Sequence, residues 1–269
     1  MCIRDRANVE AATSTYGENG FVAPVTVLDA GEAAEHRTAL DAVEAELGPV
    51  HYINKIHTVM ASAYELASHP TVLDFVESVI GPDILLYNTN YIIKEPGSPA
   101  HITWHQDLTY WGLDDDDAQV SMWLALSPAT AESGCMTMIP GSHTGGRVEH
   151  AENSDGDNLL LLGQHITDVD ESAGVYCTLE PGEASFHHGW TVHRSTPNVS
   201  SDRRIGLNVQ YVAPHNLQHS AAHSATLLRG EDRFGHYGPE PKPQSWLDKE
   251  AAESLYAADQ AMKESFQTK

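Results

Sequence analysis

"AQVSMWLALSP", residues 118–128, sets Val120, Met122, Leu124 and Leu126 on one side of an extended chain and Ser121, Trp123 and Ala125 on the other. Side chains alternate along a strand, so this two-residue period marks β-structure with two distinct faces. The same period runs through "DILLYNTNYIIKEPG" (83–97) and "RRIGLNVQYV" (203–212). Shorter candidate strands lie in "CMTMIPGSH" (135–143), "GVYCTLEPG" (174–182) and "EASFHHG" (183–189). Short strands punctuated by Gly, Pro and Asn point to a sandwich or jelly roll rather than a parallel α/β sheet.

The front third reads differently. "AGEAAEHRTALDAVEAELGP" (30–49) spaces Ala33, Leu40, Val43 and Leu47 for a helix, and "TVLDFVESVIGP" (71–82) does the same with Val72, Phe75, Val79 and Ile80. Both stop at Gly-Pro, a pair that ends helices. A terminal helix is expected from about Gln244 to Lys263, after the turn-rich "GHYGPEPKP" (235–243). The fold class is therefore mainly β with flanking helices. "MCIRDR" (1–6) reads as a non-native leader, and residues 7–269 as a single domain.

Composition narrows the function. A formal net charge of -23 opposes binding to nucleic acid or anionic membrane, which needs clustered Lys and Arg. No apolar run is long enough to span a bilayer. Three scattered cysteines, Cys2, Cys135 and Cys177, make neither a disulfide framework nor a zinc ribbon. A cytoplasmic protein acting on a small molecule fits these features.

The chemistry concentrates in "AHITWHQDLTYWG" (100–112). On a strand, His105 and Asp107 would point to one side and offer an imidazole nitrogen and a carboxylate oxygen to one ion. A third ligand has three candidates in "HHGWTVHRSTPN" (187–198): His187, His188 and His193. Two histidines and a carboxylate on one face of an octahedral ion leave three positions open, as in non-haem Fe(II) oxygenases. The competing readings are a half-buried strand without a metal, and a cupin-like metal-binding protein or zinc hydrolase on a similar barrel. His215, His219 and His223 repeat every four residues, a spacing that would align them on a helix for zinc.

Four segments taken together, "IIKEPGSPAHITWHQDLTYWGL", "SGCMTMIPGSH", "PGEASFHHGWTVHRSTPN" and "DRRIGLNVQYV", resemble the phytanoyl-CoA dioxygenase family of Fe(II)- and 2-oxoglutarate-dependent oxygenases. The resemblance implies a double-stranded β-helix, a cupin-like jelly roll with helices packed outside. It also implies Fe(II), 2-oxoglutarate and O2, with hydroxylation of an aliphatic C–H bond as the reaction. Residue by residue, it places the metal ligands at His105, Asp107 and His193. The co-substrate's guanidinium partner falls on Arg204, its helper hydroxyl on Ser195 and an adjacent ring on Trp123. Asn90, with Asn88 on the same strand face, and Lys55 are further contacts it suggests. Relatives that halogenate carry Ala or Gly in place of the aspartate, so Asp107 favours hydroxylation.

Other expectations concern the surroundings of that centre. Arg203 should point away from the pocket as a solvated surface charge. Trp104, Tyr110 and Trp111 are candidates for a dry wall, the "DDDD" run (114–117) for an acidic loop at the mouth, and "GSHTGG" (141–146) for a simple turn. One of His187 and His188 should line the pocket. A small, amine-bearing metabolite is the preferred substrate.

Overall fold

The computed structural model describes residues 6–114, 117–152, 156–160, 163–219 and 223–267. Residues 1–5 of the expected leader and Asp115 and Asp116 of the acidic run lie outside that set. Five α-helices are formed by Arg6–Asn19 (α1), Ala30–Leu47 (α2), Ala61–Ala67 (α3), Pro70–Ile80 (α4) and Ala252–Gln267 (α5). The first six strands are Phe21–Thr26 (β1), Ile84–Lys94 (β2), Ile102–His105 (β3), Gln119–Ala125 (β4), Met136–Met138 (β5) and Ala151–Glu152 (β6). The remaining six are Gln164–His165 (β7), Val175–Cys177 (β8), Glu183–His187 (β9), His193–Ser195 (β10), Arg204–Val212 (β11) and Thr226–Arg229 (β12).

Local chemistry accounts for the helix ends. Asp29 caps α2 by accepting from the backbone of Gly31 (2.8 Å) and Glu32 (2.9 Å), and the Glu32 side chain returns a bond to the Asp29 N–H. This reciprocal capping box satisfies orphan donors at the N-terminus. Pro70 opens α4, where its missing N–H costs nothing, and Gly81 stops it at φ 89°. The terminal helix begins eight residues later than the sequence pattern suggests, because residues before Ala252 are spent on bridges to other elements. Leu247 pairs with Met60, and the Asp248 N–H donates to Val59 O.

The strands build a six-stranded antiparallel sheet, in the order β1-β9-β4-β11-β2-β12, and a four-stranded one, β3-β10-β5-β8; β6 and β7 pair separately. This is the expected double-stranded β-helix. The alternation in β4 and β11 holds residue by residue. Val120, Met122, Leu124, Ile205, Leu207, Val209 and Tyr211 join one core with Leu40 and Val43 of α2, Leu66 of α3 and Phe75 of α4. Each such side chain contributes about 1.5–3 kcal/mol on burial. The helices thus cover one face of the large sheet.

Its other face is polar and turns toward the small sheet. Cross-strand pairing sets it out in rows: His187, Ser121, Gln210 and Asn88; then Ser185, Trp123, Asn208 and Asn90; then Ala125, Gly206 and Ile92; and finally Arg204 beside Lys94. Two expectations need correction. Arg203 does leave the pocket, but it pairs with Glu44 (2.8 Å), Glu95 (2.9 Å) and Asp41 (3.4 Å), tying β11 to α2. His215, His219 and His223 sit in irregular chain between β11 and β12, where the four-residue period aligns nothing. His219 instead pairs with Asp114, and the His223 ring lies 5.5 Å from that of Tyr87.

Candidate metal centre

The short strand β10 lies between β3 and β5, and its register places His193 directly opposite His105. Their ring centroids are 4.1 Å apart. Asp107 is not on the strand with His105, contrary to the two-residue argument. The chain leaves β3 after His105, and Asp107 opens a 3-10 turn over Asp107–Tyr110. Gln106 anchors that bend, donating to Gly146 O and Trp190 O (2.8 Å each) and accepting from Val148 N (2.8 Å). The carboxylate still reaches the two imidazoles: Asp107 Oδ1 is 3.3 Å from His105 Nε2 and 3.7 Å from His193 Nε2. All three ligand-type atoms lie within 4.8 Å of one another.

The imidazoles are oriented as metal ligands need. His105 Nδ1 bonds Thr103 O (2.9 Å) and His193 O (3.1 Å), and His193 Nδ1 bonds Thr191 O (2.9 Å). A carbonyl only accepts, so each Nδ1 carries the proton and each Nε2 presents a lone pair. Burial pushes His193 well below its ordinary value, which keeps it neutral. For Asp107, burial alone would raise the carboxyl, but the hydrogen bond from His187 and the imidazoles packed around the carboxylate outweigh it. Its pKa is held well below the usual carboxylate range. A neutral imidazole and an ionised carboxylate are the forms a metal binds.

These side chains line a cavity of about 470 Å³ that also contains Arg204, Ser195, Trp123, Asn90 and Asn88. Arg204 is only 1% exposed, and its guanidinium stacks over the Trp123 ring at 4.4 Å. Burial pushes it down to about 10. Among the described residues its Nε and Nη1 have no hydrogen-bond partner. A buried cation with unmet donors needs an anion, and a bidentate carboxylate has the matching shape. Trp123 packs this closely because residue 206 is Gly: a Cβ there would come within 1.9 Å of the indole. Ser195 accepts from Lys94 Nζ at 2.7 Å, so its own hydroxyl hydrogen is free for another acceptor.

Some expected contacts are arranged otherwise. Asn88 is engaged at both ends of its amide, accepting from Lys55 N (2.9 Å) and donating to Asn54 (2.8 Å). Asn90 donates to the same Asn54 oxygen (3.0 Å), leaving its own Oδ1 without a partner among the described residues. Lys55 turns away from the cavity to Tyr87 O, Ser224 O and the Glu240 carboxylate (2.9 Å). Trp111 lines the cavity, whereas Trp104 packs with Ile166 and Val192 and stacks on Arg194. The Tyr110 side chain lies outside the described residues. His187 lines the cavity; His188 faces Asp117 at 3.3 Å.

The far wall was not legible in the sequence. Tyr52, Asn54 and His51 come from the loop before the Ile56–Thr58 turn, and Lys263 from the terminal helix. Asp259 ties the two, accepting from the Asn54 backbone and amide (2.9 Å each) and from Lys263 (2.8 Å). Tyr52 and Lys55, at φ 59° and 63°, are the only non-glycine residues with positive φ among those described. Such strain collects where a fold positions functional groups, and a pair of left-handed non-glycine residues leaves no signature in composition.

Four similarities to known proteins bear on this arrangement. A model of the phytanoyl-CoA dioxygenase family matches residues 16–206. The solved non-heme monooxygenase ThoJ, in its apo form, is 33% identical with a TM-score of 0.82, covering 94% of this chain and 96% of that one. A phytanoyl-CoA dioxygenase domain-containing protein 1 homolog from Caenorhabditis elegans is 29% identical over 48% of this chain and 47% of its own length. A probable alpha-ketoglutarate-dependent hypophosphite dioxygenase from Stutzerimonas stutzeri is 31% identical over 49% and 46%. The chain thus spans under half the length of the curated relatives it matches. No helix among the described residues is long and apolar enough to cross a membrane.

Proposed function

The chain belongs to the phytanoyl-CoA dioxygenase family, and from that premise we propose that it is an Fe(II)- and 2-oxoglutarate-dependent hydroxylase of a small metabolite. The observation that carries the reading is the convergence of His105, Asp107 and His193 in the same cavity as an unpaired, buried guanidinium. When bound, iron, 2-oxoglutarate and dioxygen supply the oxidation: the keto acid loses CO2 to become succinate, and one oxygen atom enters a substrate C–H bond.

The remaining work belongs to side chains. His105, His193 and Asp107 hold the ion by one face and leave three positions for keto acid and oxygen. Arg204 takes the distal carboxylate of the keto acid, with the Ser195 hydroxyl donating beside it and the Trp123 ring walling the methylenes. Lys94 supports this end by fixing Ser195, donating to its backbone oxygen (3.2 Å) and to Thr196 O (2.6 Å) as well as to the hydroxyl. Asn90 lies across the ladder from Asn208, in the same row as Trp123, and offers its Oδ1 to the same ligand. Trp111 helps exclude water from the cavity, and Ile102, opposite Ser195, does so beside the Arg204 end.

Asp107 is the only carboxylate among the described residues lining the cavity, while Arg194, Arg204 and Lys263 are its cations. An ammonium-bearing substrate would enter without a counter-charge, so the preference for an amine gives way to a neutral or anionic compound. Anaerobic loading with Fe(II) and 2-oxoglutarate, followed by oxygen and succinate assay against a panel of small metabolites, tests the reading. Asp107→Ala should abolish hydroxylation of the substrate; wild-type turnover in that variant would remove the proposed centre.

A further inference from the structure

His187 was one of three histidines competing for the third ligand position, and the metal-binding set leaves it out. It is 2% exposed, and its ring centroid is 4.8 Å from that of His193. Its Nε2 lies 3.2 Å from Asp107 Oδ2, not from Oδ1. Ser121 Oγ donates to the same Oδ2 at 3.2 Å. The two donors are direct neighbours, since Ser121 of β4 and His187 of β9 pair across the ladder. A carboxylate oxygen only accepts, so His187 must hold its proton on Nε2. The Nδ1 atom, buried and without a partner among the described residues, is then the bare acceptor.

We propose that the His187–Ser121 pair is a positioning device for the metal centre, holding Asp107 so that Oδ1 alone faces the ion. This rests on the reading of Asp107 as a ligand. The two oxygens have separate surroundings: Oδ1 has the ligand nitrogens of His105 and His193 at 3.3 and 3.7 Å, while Oδ2 has its two donors. A carboxylate free to rotate could offer both oxygens to one ion and fill a position that the keto acid or dioxygen needs. Two hydrogen bonds from one rigid cross-strand pair oppose that rotation. Partners of this kind orient ligands, and their loss costs about ten- to a hundredfold in metal affinity.

The test uses the full chain loaded with Co(II) under nitrogen, without co-substrate. Dissociation constants and visible ligand-field spectra are measured for wild type, His187→Leu, His187→Gln, Ser121→Ala and Asp107→Ala. His187→Leu should weaken Co(II) binding about ten- to a hundredfold and alter the spectrum. His187→Gln keeps an amide N–H near the Nε2 position and should restore both. Ser121→Ala, which removes the smaller donor and keeps the fold, should give an intermediate shift and provides the measurement if the leucine variant does not fold.

Wild-type affinity and spectrum in His187→Leu, or no difference between the glutamine and leucine variants, would overturn the proposal. If the leucine variant is unfolded, an unchanged Ser121→Ala spectrum does the same. Wild-type Co(II) affinity and spectrum in Asp107→Ala overturn the underlying ligand assignment instead, and so separate the two failures.

Discussion

Arg204 is a cation that the protein itself does not neutralise: it is buried, stacked on Trp123 and short of hydrogen-bond partners at Nε and Nη1. Charge-assisted hydrogen bonds contribute about 1.5–3 kcal/mol each. Arg204→Met should therefore raise the 2-oxoglutarate concentration needed for half-maximal succinate release by about 100-fold, with Fe(II) affinity unchanged; co-substrate titration reads this out. His223 offers a pH test. Burial, then the charge of Lys55, pushes it down to about 4, against about 6.5 in an unfolded chain. Between those values the unfolded state binds a proton that the folded state refuses, so this stability is full above about 6.5 and is lost as pH falls toward 4. Urea melts at pH 7 and pH 5 should show a smaller loss on acidification in His223→Gln than in wild type. The candidate ligands His105, Asp107 and His193 were readable as residues because few side-chain types bind iron. His187 was not, because which of two adjacent histidines faces inward depends on where β9 ends.

At the scale of elements, the long inner strands β2, β4 and β11 were legible from their alternation and the short β5, β8 and β9 from their Gly and Pro punctuation, whereas β10 was not. Strands β4 and β11 carry seven and nine residues, enough for a two-residue period to emerge. Strand β10, with three residues, carries His193 yet is too short to display any period; it is defined by its neighbours. The same limit explains Asp107, whose place on a 3-10 turn rather than on β3 follows from the tertiary anchoring of Gln106. Strand β11 also gives a test of close packing. An alanine methyl at position 206 would meet the Trp123 ring at 1.9 to 2.5 Å, so the ring must shift from beneath Arg204. Overpacking of this kind costs about 1–3 kcal/mol. Gly206→Ala should lower Tm and raise the co-substrate requirement together, read by calorimetry and by the same titration.

For the whole molecule, a buried ionic cluster joins parts far apart in sequence. Glu240 binds Lys55 (2.9 Å) and His57 (2.8 Å) and accepts from Ser224 (2.7 Å) and Thr226 (2.9 Å). Burial alone would raise its carboxyl, but Lys55 and His57 hold it well below the ordinary range. Sequence reading saw only a Gly- and Pro-rich loop there, since a charge in such a loop is ordinarily solvated. Breaking a buried pair by removing one partner costs about 3–5 kcal/mol. Glu240→Gln should accordingly lower Tm by about 10 °C in a thermal melt. The Lys55 backbone N–H also donates to Asn88, which bonds Asn54, so loosening this segment reaches the cavity's far wall.

The pairing of His105 with His193 across one ladder separates the chemistry from the choice of substrate. Between them in sequence the chain leaves the edge strand β3, builds β4 and β9 of the large sheet and β5 and β8 of the small one, and returns on β10 beside β3. Foreign loops spliced into that segment must spare β4, β5, β8, β9 and the Gly146, Val148 and Trp190 anchors of Gln106 for the three side chains to stay together, which marks out where this scaffold can be re-lined.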